Sequence, residues 1–300
     1  MTVLIPFEAE AALDWLALTD TLAAGHIMPK GSVEDVFLYR DDNTLLNRSA
    51  WIKGMGLAVK CATVFPGNPA AGKPMIAGAV NLFSDTDGTL EAILDFKLVT
   101  KWKTAGDSLL AARRLARPDS RNILIVGAGT VGRSLWQAYS AAFPDAQFTV
   151  WNRSPAGADK FVRDCPSVNV ATDLEAAVRA ADIVTSATMS TEPVIKGDWL
   201  QPGQHIDLIG AYRPDMREVD DTALQKSRLF VDSYDTTLDH IGELKIPLAS
   251  GVIARGDVVA DFYALDAFTR DPDDITLFKN GGGAHLDLMT SRYILESFGP

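Results

Sequence analysis

The sequence predicts an α/β protein in which a doubly wound parallel sheet follows a smaller α+β region. Two observations predict it. From residue 122 onward, short apolar runs alternate with helix-forming segments at the spacing of repeated β-α units, which fold as a parallel sheet with helices on both faces. Before residue 118 the runs are instead separated by turn signals, as hairpin strands are. A length of 300 residues suits two domains, and 47% hydrophobic with 22% charged residues is the balance of a globular chain.

The first region opens on a helix expected over 9–22, where Leu13, Leu16, Leu18 and Leu22 recur at helical spacing. Strands are expected at 37–39 and 43–51 around the turn Asp41-Asp42-Asn43. Two more follow, at 56–64 and 76–83, around a loop rich in Pro and Gly at 65–74. Asp85-Thr-Asp-Gly88 has hairpin chemistry and leads into a strand at 89–95. A long helix, 100–115, stops before Pro118.

In the second region the run Asn122-Ile-Leu-Ile-Val126 is apolar almost throughout, as a strand covered on both faces must be. Further strands are expected at 148–151, 168–170, 182–186, 205–209 and 229–231, with helices at 131–143, 155–164 and 174–180. A last helix, 284–298, follows Asn280-Gly-Gly-Gly283.

Charge and cysteine content exclude several function classes. Asp plus Glu number 39 against 28 Lys plus Arg, a formal charge of −11, and no basic run is longer than Arg113-Arg114. A nucleic-acid or anionic-membrane partner would want a basic patch, so neither is expected. Cys61 and Cys165 stand far apart with no Cys/His cluster. That argues against a zinc site and for a reducing compartment, and no metal is expected. There is no basic, apolar leader and no run of about 18 apolar residues, so the expected location is the cytoplasm.

Gly127-Ala128-Gly129-Thr130-Val131-Gly132 lies between an expected strand and an expected helix, the context in which G-x-G-x-x-G binds a dinucleotide. The first glycine permits the tight turn, the second lets a pyrophosphate approach the backbone, and the third allows close helix–strand packing. The phosphates rest on the helix N-terminus. At the end of the next strand, where a chain preferring NAD(H) places Asp or Glu for the ribose 2′-hydroxyl, this chain reads Asn152-Arg153-Ser154. Arg153 can stack on adenine and pair with a 2′-phosphate, with Ser154 as a second donor. NADP(H) is therefore the favoured cofactor, and NAD(H) the alternative.

The segments around the glycine loop resemble the ornithine cyclodeaminase/mu-crystallin family. Ahead of the loop the likeness is carried by Lys60, the stretch 66–72, Asp85-Thr-Asp-Gly88 and Leu98-Val-Thr-Lys-Trp-Lys-Thr-Ala-Gly-Asp-Ser108. Beyond the loop it is carried by Ala187-Thr-Met-Ser-Thr-Glu-Pro193, Gly210-Ala-Tyr-Arg-Pro214 and Arg217-Glu-Val-Asp-Asp221. The resemblance implies a dimerisation and substrate domain made of 1–118 with 280–300, and an NAD(P)-binding Rossmann domain of 119–279. It implies a homodimer, and it extends the cofactor site to Ala187, Thr188, Met189 and Asn280.

The same resemblance identifies Arg48, Lys60 and Lys103 with the family's substrate-binding cations. A substrate carboxylate needs fixed cations in a partly buried cleft. Arg48 can clamp it bidentately, whereas Lys103, standing where most relatives carry Arg, acts only as a point charge. Lys60 is the candidate catalytic residue, able to polarise or protonate an imine nitrogen.

One departure narrows the reaction. Cyclodeaminases and the related alanine dehydrogenases carry an Asp shortly after the fifth strand; this chain has Tyr212, counted among the substrate-binding residues. Without that carboxylate, cyclisation loses its partner. Reduction of a preformed cyclic imine needs only a hydride, a carboxylate clamp and a proton source. The expectation is an oxidoreductase, a ketimine reductase, that uses NAD(P)H to convert Δ1-pyrroline-2-carboxylate or Δ1-piperideine-2-carboxylate to L-proline or L-pipecolate. Ornithine cyclodeamination, amino-acid dehydrogenation and a non-catalytic, NADPH-dependent ligand-binding role are the alternatives. His26, His205, His240 and His285 are scattered, and His205, in an apolar strand, reads as a core residue.

Overall fold

A computed structural model describes residues 1–299, which fall into two compact units. The first takes Met1–Lys103 and the chain from Gly283 on; the second is Thr104–Gly282.

The first unit holds β1 (Val3–Ile5), α1 (Trp15–Ile27), β2 (Ser32–Arg40), β3 (Asn43–Ile52), β4 (Gly56–Val64), β5 (Ile76–Phe83) and β6 (Leu90–Asp95). It also holds the first turns of α2 (Phe96–Leu115) and the C-terminal helix, Ala284–Phe298. The sheet order is β1-β6-β5-β4-β3-β2, antiparallel except for β1 beside β6. The C-terminal helix packs on β3 and β4 and buries Leu286, Leu288, Met289 and Ile294.

In the first unit β1 was not expected, and three expected elements begin well away from the predicted residue. The helix expected over 9–22 starts at Trp15, because Asp14 accepts a hydrogen bond from the Ala17 N–H (2.8 Å) and caps it; Phe7–Ala12 is a separate 3-10 turn. The leucine spacing runs through that cap, so periodicity alone could not find the start. The helix expected at 100 begins at Phe96, where Asp95 accepts from the Leu98 N–H (2.9 Å). The strand expected at 37–39 spans Ser32–Arg40. It is the sheet edge with all nine residues exposed, so no buried face imposes an alternation that could reveal its start.

The second unit continues with β7 (Asn122–Val126), α3 (Thr130–Ala142), β8 (Gln147–Trp151), α4 (Pro155–Asp164), β9 (Val168–Val170), α5 (Leu174–Ala180) and β10 (Ile183–Ser186). Then come β11 (His205–Leu208), α6 (Asp221–Lys226), β12 (Arg228–Val231), α7 (Tyr234–Thr237), α8 (Gly242–Ser250), β13 (Val258–Ala260) and β14 (Thr276–Lys279). All eight strands are parallel, in the order β13-β12-β14-β11-β10-β7-β8-β9. This is a Rossmann-type doubly wound sheet, and the strand order reverses between β7 and β10. In such sheets ligands bind at the carboxyl ends of the strands at that reversal.

β14 went unforeseen: four residues ending in a lysine give little strand signal, yet it lies between β11 and β12. Lys279 is fully buried there because its ammonium donates to the Leu208 (2.9 Å) and Asn280 (2.7 Å) carbonyls. His205 is a core residue of β11, as expected. Its Nδ1 lies 2.9 Å from Thr276 Oγ1, and burial pushes its pKa down to about 3. The division between the units falls inside α2 and after Gly282, not at Pro118 and Lys279, because one continuous helix supplies residues to each unit. Among the described residues no helix is long and apolar enough to cross a membrane, and no group of three His, Cys, Asp or Glu could hold a metal ion.

Candidate active site

At the carboxyl ends of β7, β8 and β10 the second unit has a cavity of about 370 Å³. Of the cofactor residues expected from the sequence, Gly127, Ala128, Gly129, Asn152, Arg153, Ser154, Ala187, Thr188 and Met189 line it. Thr130, Val131 and Gly132 form the first turn of α3 next to it. Asn280 does not line it; its buried amide donates to the Thr104 carbonyl (3.2 Å) and Ser108 Oγ (3.1 Å).

The loop geometry suits a pyrophosphate. Gly127 has φ 111, a conformation L side chains rarely adopt, and a Cβ there would press on the Ala187 carbonyl at 2.8 Å. A Cβ at Gly132 would collide with the Gly127 carbonyl, so the third glycine sets how closely α3 approaches β7. Nothing stands within 4 Å of the place a Gly129 Cβ would take. No side chain caps the N-terminus of α3 and no acidic residue sits in its first turn, so its N–H groups and dipole favour an anion. Asn152 braces this loop: its Oδ1 accepts from the Ala128 N–H (3.1 Å) and its Nδ2 donates to the Ser154 carbonyl (2.9 Å). These residues fit a dinucleotide, with Arg153 exposed on the cavity wall.

The first unit gathers the expected substrate cations. Antiparallel pairing sets Arg48 of β3 opposite Lys60 of β4. Lys103 comes from α2, and Asp287 of the C-terminal helix joins the two lysines. Its Oδ1 lies 3.0 Å from Lys60 Nζ and 3.2 Å from Lys103 Nζ. Lys60 is 5% exposed, Lys103 6% and Asp287 not at all. Lys60 also sits 4.8 Å from the centre of the Phe96 ring, and Lys103 Nζ lies 3.4 Å from the Gly283 carbonyl.

Burial pulls the Lys103 pKa down to about 8; Asp287 opposes the fall, while Lys60 and Arg48 add to it. Burial would raise the Asp287 carboxyl, but Lys103, Lys60 and Arg48 outweigh it and hold the pKa at about 2. Asp287 is therefore an ionised carboxylate set among cations, and its Oδ2 is buried with no hydrogen-bond partner.

Arg48 is not a vacant fork. Asp35, opposite it on β2, accepts from its Nε (2.9 Å) and NH2 (2.7 Å). Tyr212 belongs to the second unit, in the segment after β11, and is 59% exposed. His26 and His285 are buried edge to face with ring centres 5.4 Å apart. Burial holds both pKa values down, His26 to about 4.

Two acidic residues escaped the sequence reading. Asp287 sits in the apolar run Leu286, Leu288, Met289, and a carboxylate on the buried face of a helix was the available signal. Glu218 lies within Arg217-Glu-Val-Asp-Asp221, a motif that drew notice without suggesting a role; it is completely buried.

The chain is similar to several known proteins. Residues 49–299 match the model of the ornithine cyclodeaminase/mu-crystallin family. A Δ1-pyrroline-2-carboxylate reductase of Paracoccus denitrificans is 49% identical over 296 residues, covering 96% of this chain and 94% of its own. The ketimine reductase mu-crystallin of Mus musculus is 31% identical, covering 81% of this chain and 76% of its own. The structure of Thermococcus litoralis Δ1-pyrroline-2-carboxylate reductase in complex with NADH and L-proline superposes with a TM-score of 0.89 at 25% identity, over 99% of this chain and 97% of that one.

Proposed function

The chain belongs to the ornithine cyclodeaminase/mu-crystallin family and is an oxidoreductase acting on C=N bonds; from that premise we propose that it reduces a cyclic imino acid, Δ1-pyrroline-2-carboxylate or Δ1-piperideine-2-carboxylate, to L-proline or L-pipecolate. The observation that carries the substrate class is the buried cluster of Lys60 and Lys103 about Asp287, with Arg48 beside it. Such a cluster holds a small carboxylate by charge-assisted hydrogen bonds in a place where water screens little. The 49% relative and the L-proline in the Thermococcus structure support the same class.

The glycine loop and the wall at Ala187 and Thr188 would hold the coenzyme. When bound, a reduced nicotinamide supplies a hydride to the imine carbon. Arg48, Lys60 and Lys103 orient the carboxylate, and the ammonium of Lys60, or a water it holds, gives the ring nitrogen its proton. Asp287 keeps the two lysine side chains at a fixed separation, which is the chain's part in positioning. We assign the coenzyme as NADPH in preference to NADH, because Arg153 stands on the cavity wall and 152–154 contains no acid.

The exposed edge strand β2, with Val33, Val36, Phe37, Leu38 and Tyr39 uncovered, supports a homodimer. The two unpaired cysteines support a cytoplasmic setting.

The test is coenzyme oxidation by purified protein with each imino acid, alongside ornithine with NAD+. Turnover of an imino acid and silence with ornithine is the expected result. Ammonia release from ornithine without imine reduction would overturn the reading.

A further inference from the structure

Glu218, between β11 and α6, has both carboxylate oxygens fully used. Oε1 accepts from Ser186 Oγ (2.6 Å), the Thr188 N–H (2.8 Å) and Thr188 Oγ1 (2.9 Å). Oε2 accepts from the Gly210 N–H (2.7 Å) and the Ala211 N–H (3.1 Å). The donors belong to two strand ends: residues 186–188 leave β10, and 210–211 leave β11. The two segments also touch, since a Cβ at Gly210 would collide with the Thr188 backbone. Ala187 and Thr188 form one wall of the dinucleotide cavity.

The carboxylate is itself held in place. Its residue's N–H donates to Glu243 Oε2 (2.7 Å), and its carbonyl accepts from Val194 (2.9 Å) and Ile195 (3.0 Å). A buried carboxylate is costly unless its lone pairs are met, and here five donors meet them. The amide of glutamine cannot match it: with its NH2 toward Gly210 and Ala211 both of those N–H groups lose their acceptor, and with its NH2 toward Ser186 and Thr188 the hydroxyls can accept but the Thr188 N–H is left without one.

We propose that Glu218 is the positioning residue for coenzyme binding: it ties the wall at 187–188 to the neighbouring strand end at 210–211, and so sets the width of the cavity without touching the coenzyme. This rests on the dinucleotide reading of the cavity.

The test takes the Glu218→Gln and Thr188→Val variants of the full chain. In coenzyme-free E218Q, amide hydrogen exchange at Thr188, Gly210 and Ala211 speeds up about tenfold or more, and amides of β4 and β5 do not change. The Kd for NADPH, read by fluorescence titration, rises about tenfold, while kcat at saturating coenzyme falls less than about threefold. T188V, which loses one side-chain hydrogen bond, moves exchange and Kd the same way by a smaller factor. Unchanged exchange and Kd in a folded E218Q would overturn the proposal, as would a fall in kcat with Kd unmoved. If E218Q does not fold, unchanged values in T188V would overturn it. Wild-type protein that bound neither NADPH nor NADH would overturn the dinucleotide reading and the coenzyme role with it, while the exchange data would still decide whether Glu218 braces the two segments.

Discussion

The dinucleotide cavity of the second unit is shaped mainly by backbone. Gly127 turns the chain, Gly132 sets the helix packing and the N-terminus of α3 supplies the donors. The cation cluster of the first unit is shaped by side chains from four elements, and its central ion pair joins residues 227 positions apart. Backbone sites are written in short contiguous motifs, because the same few φ/ψ values and close approaches recur wherever a phosphate meets a helix end. Side-chain clusters depend on which faces the tertiary fold brings together.

The sharpest way to break the comparison is Asp287→Asn. It leaves Lys60 and Lys103 buried without their shared counter-ion, and removing one partner of a buried ion pair typically costs about 3–5 kcal/mol. A large drop in Tm on thermal unfolding is expected. An unchanged Tm would mean that Asp287 is not the anchor of the cluster.

Lys60→Met keeps the stem and removes the charge. kcat/KM for the imino acid should fall about 100-fold, the order set by losing a charge-assisted hydrogen bond, with the NADPH Kd within about twofold of wild type. Equal losses in both quantities would dissolve the division of labour between the units.

The pH dependence sharpens it further. Burial depresses Lys103 to about 8, so its positive charge is present below that pH and is lost as pH rises through it. kcat/KM for the imino acid should fall above pH about 8, approaching tenfold per unit if this charge is essential, while coenzyme Kd stays level. Lys103→Arg, which cannot deprotonate in this range, should remove that limb.

In the other unit, Arg153→Ala should weaken NADPH by about tenfold and leave NADH nearly unchanged, as measured by the ratio of the two KM values. The smallest effect is expected from Asp35→Asn. Removing the partly exposed charge that Asp35 sets against Arg48 should lower the imino-acid KM by less than about fivefold.

Much of the fold was legible in the sequence. Gly56–Val64, Ile76–Phe83, Pro155–Asp164, Leu174–Ala180 and Ala284–Phe298 stand where periodicity and turn chemistry put them. The cases that were not share a cause: the deciding interaction is not periodic. Asp14 begins α1 by capping inside a leucine repeat, β2 has no buried face, and β14 is four residues whose lysine is buried because two carbonyls wait for it. At the candidate site, nine of the expected cofactor residues line the cavity, whereas Asn280 spends its amide on Thr104 and Ser108. Asp287 and Glu218 were invisible for one physical reason. A buried carboxylate is explained by its donors, and those donors come from distant parts of the chain.

The most direct measurement compares two substrates that differ only in the carboxylate, Δ1-pyrroline-2-carboxylate and Δ1-pyrroline, with wild type and Lys103→Met, since Lys103 serves the carboxylate and not the proton transfer. If the cation cluster reads the carboxylate, wild type prefers the acid by about 100-fold or more in kcat/KM, and the variant loses most of that preference by losing rate on the acid alone. Equal rates on the two substrates in wild type, or an equal loss on both in the variant, would contradict the role assigned to Arg48, Lys60 and Lys103.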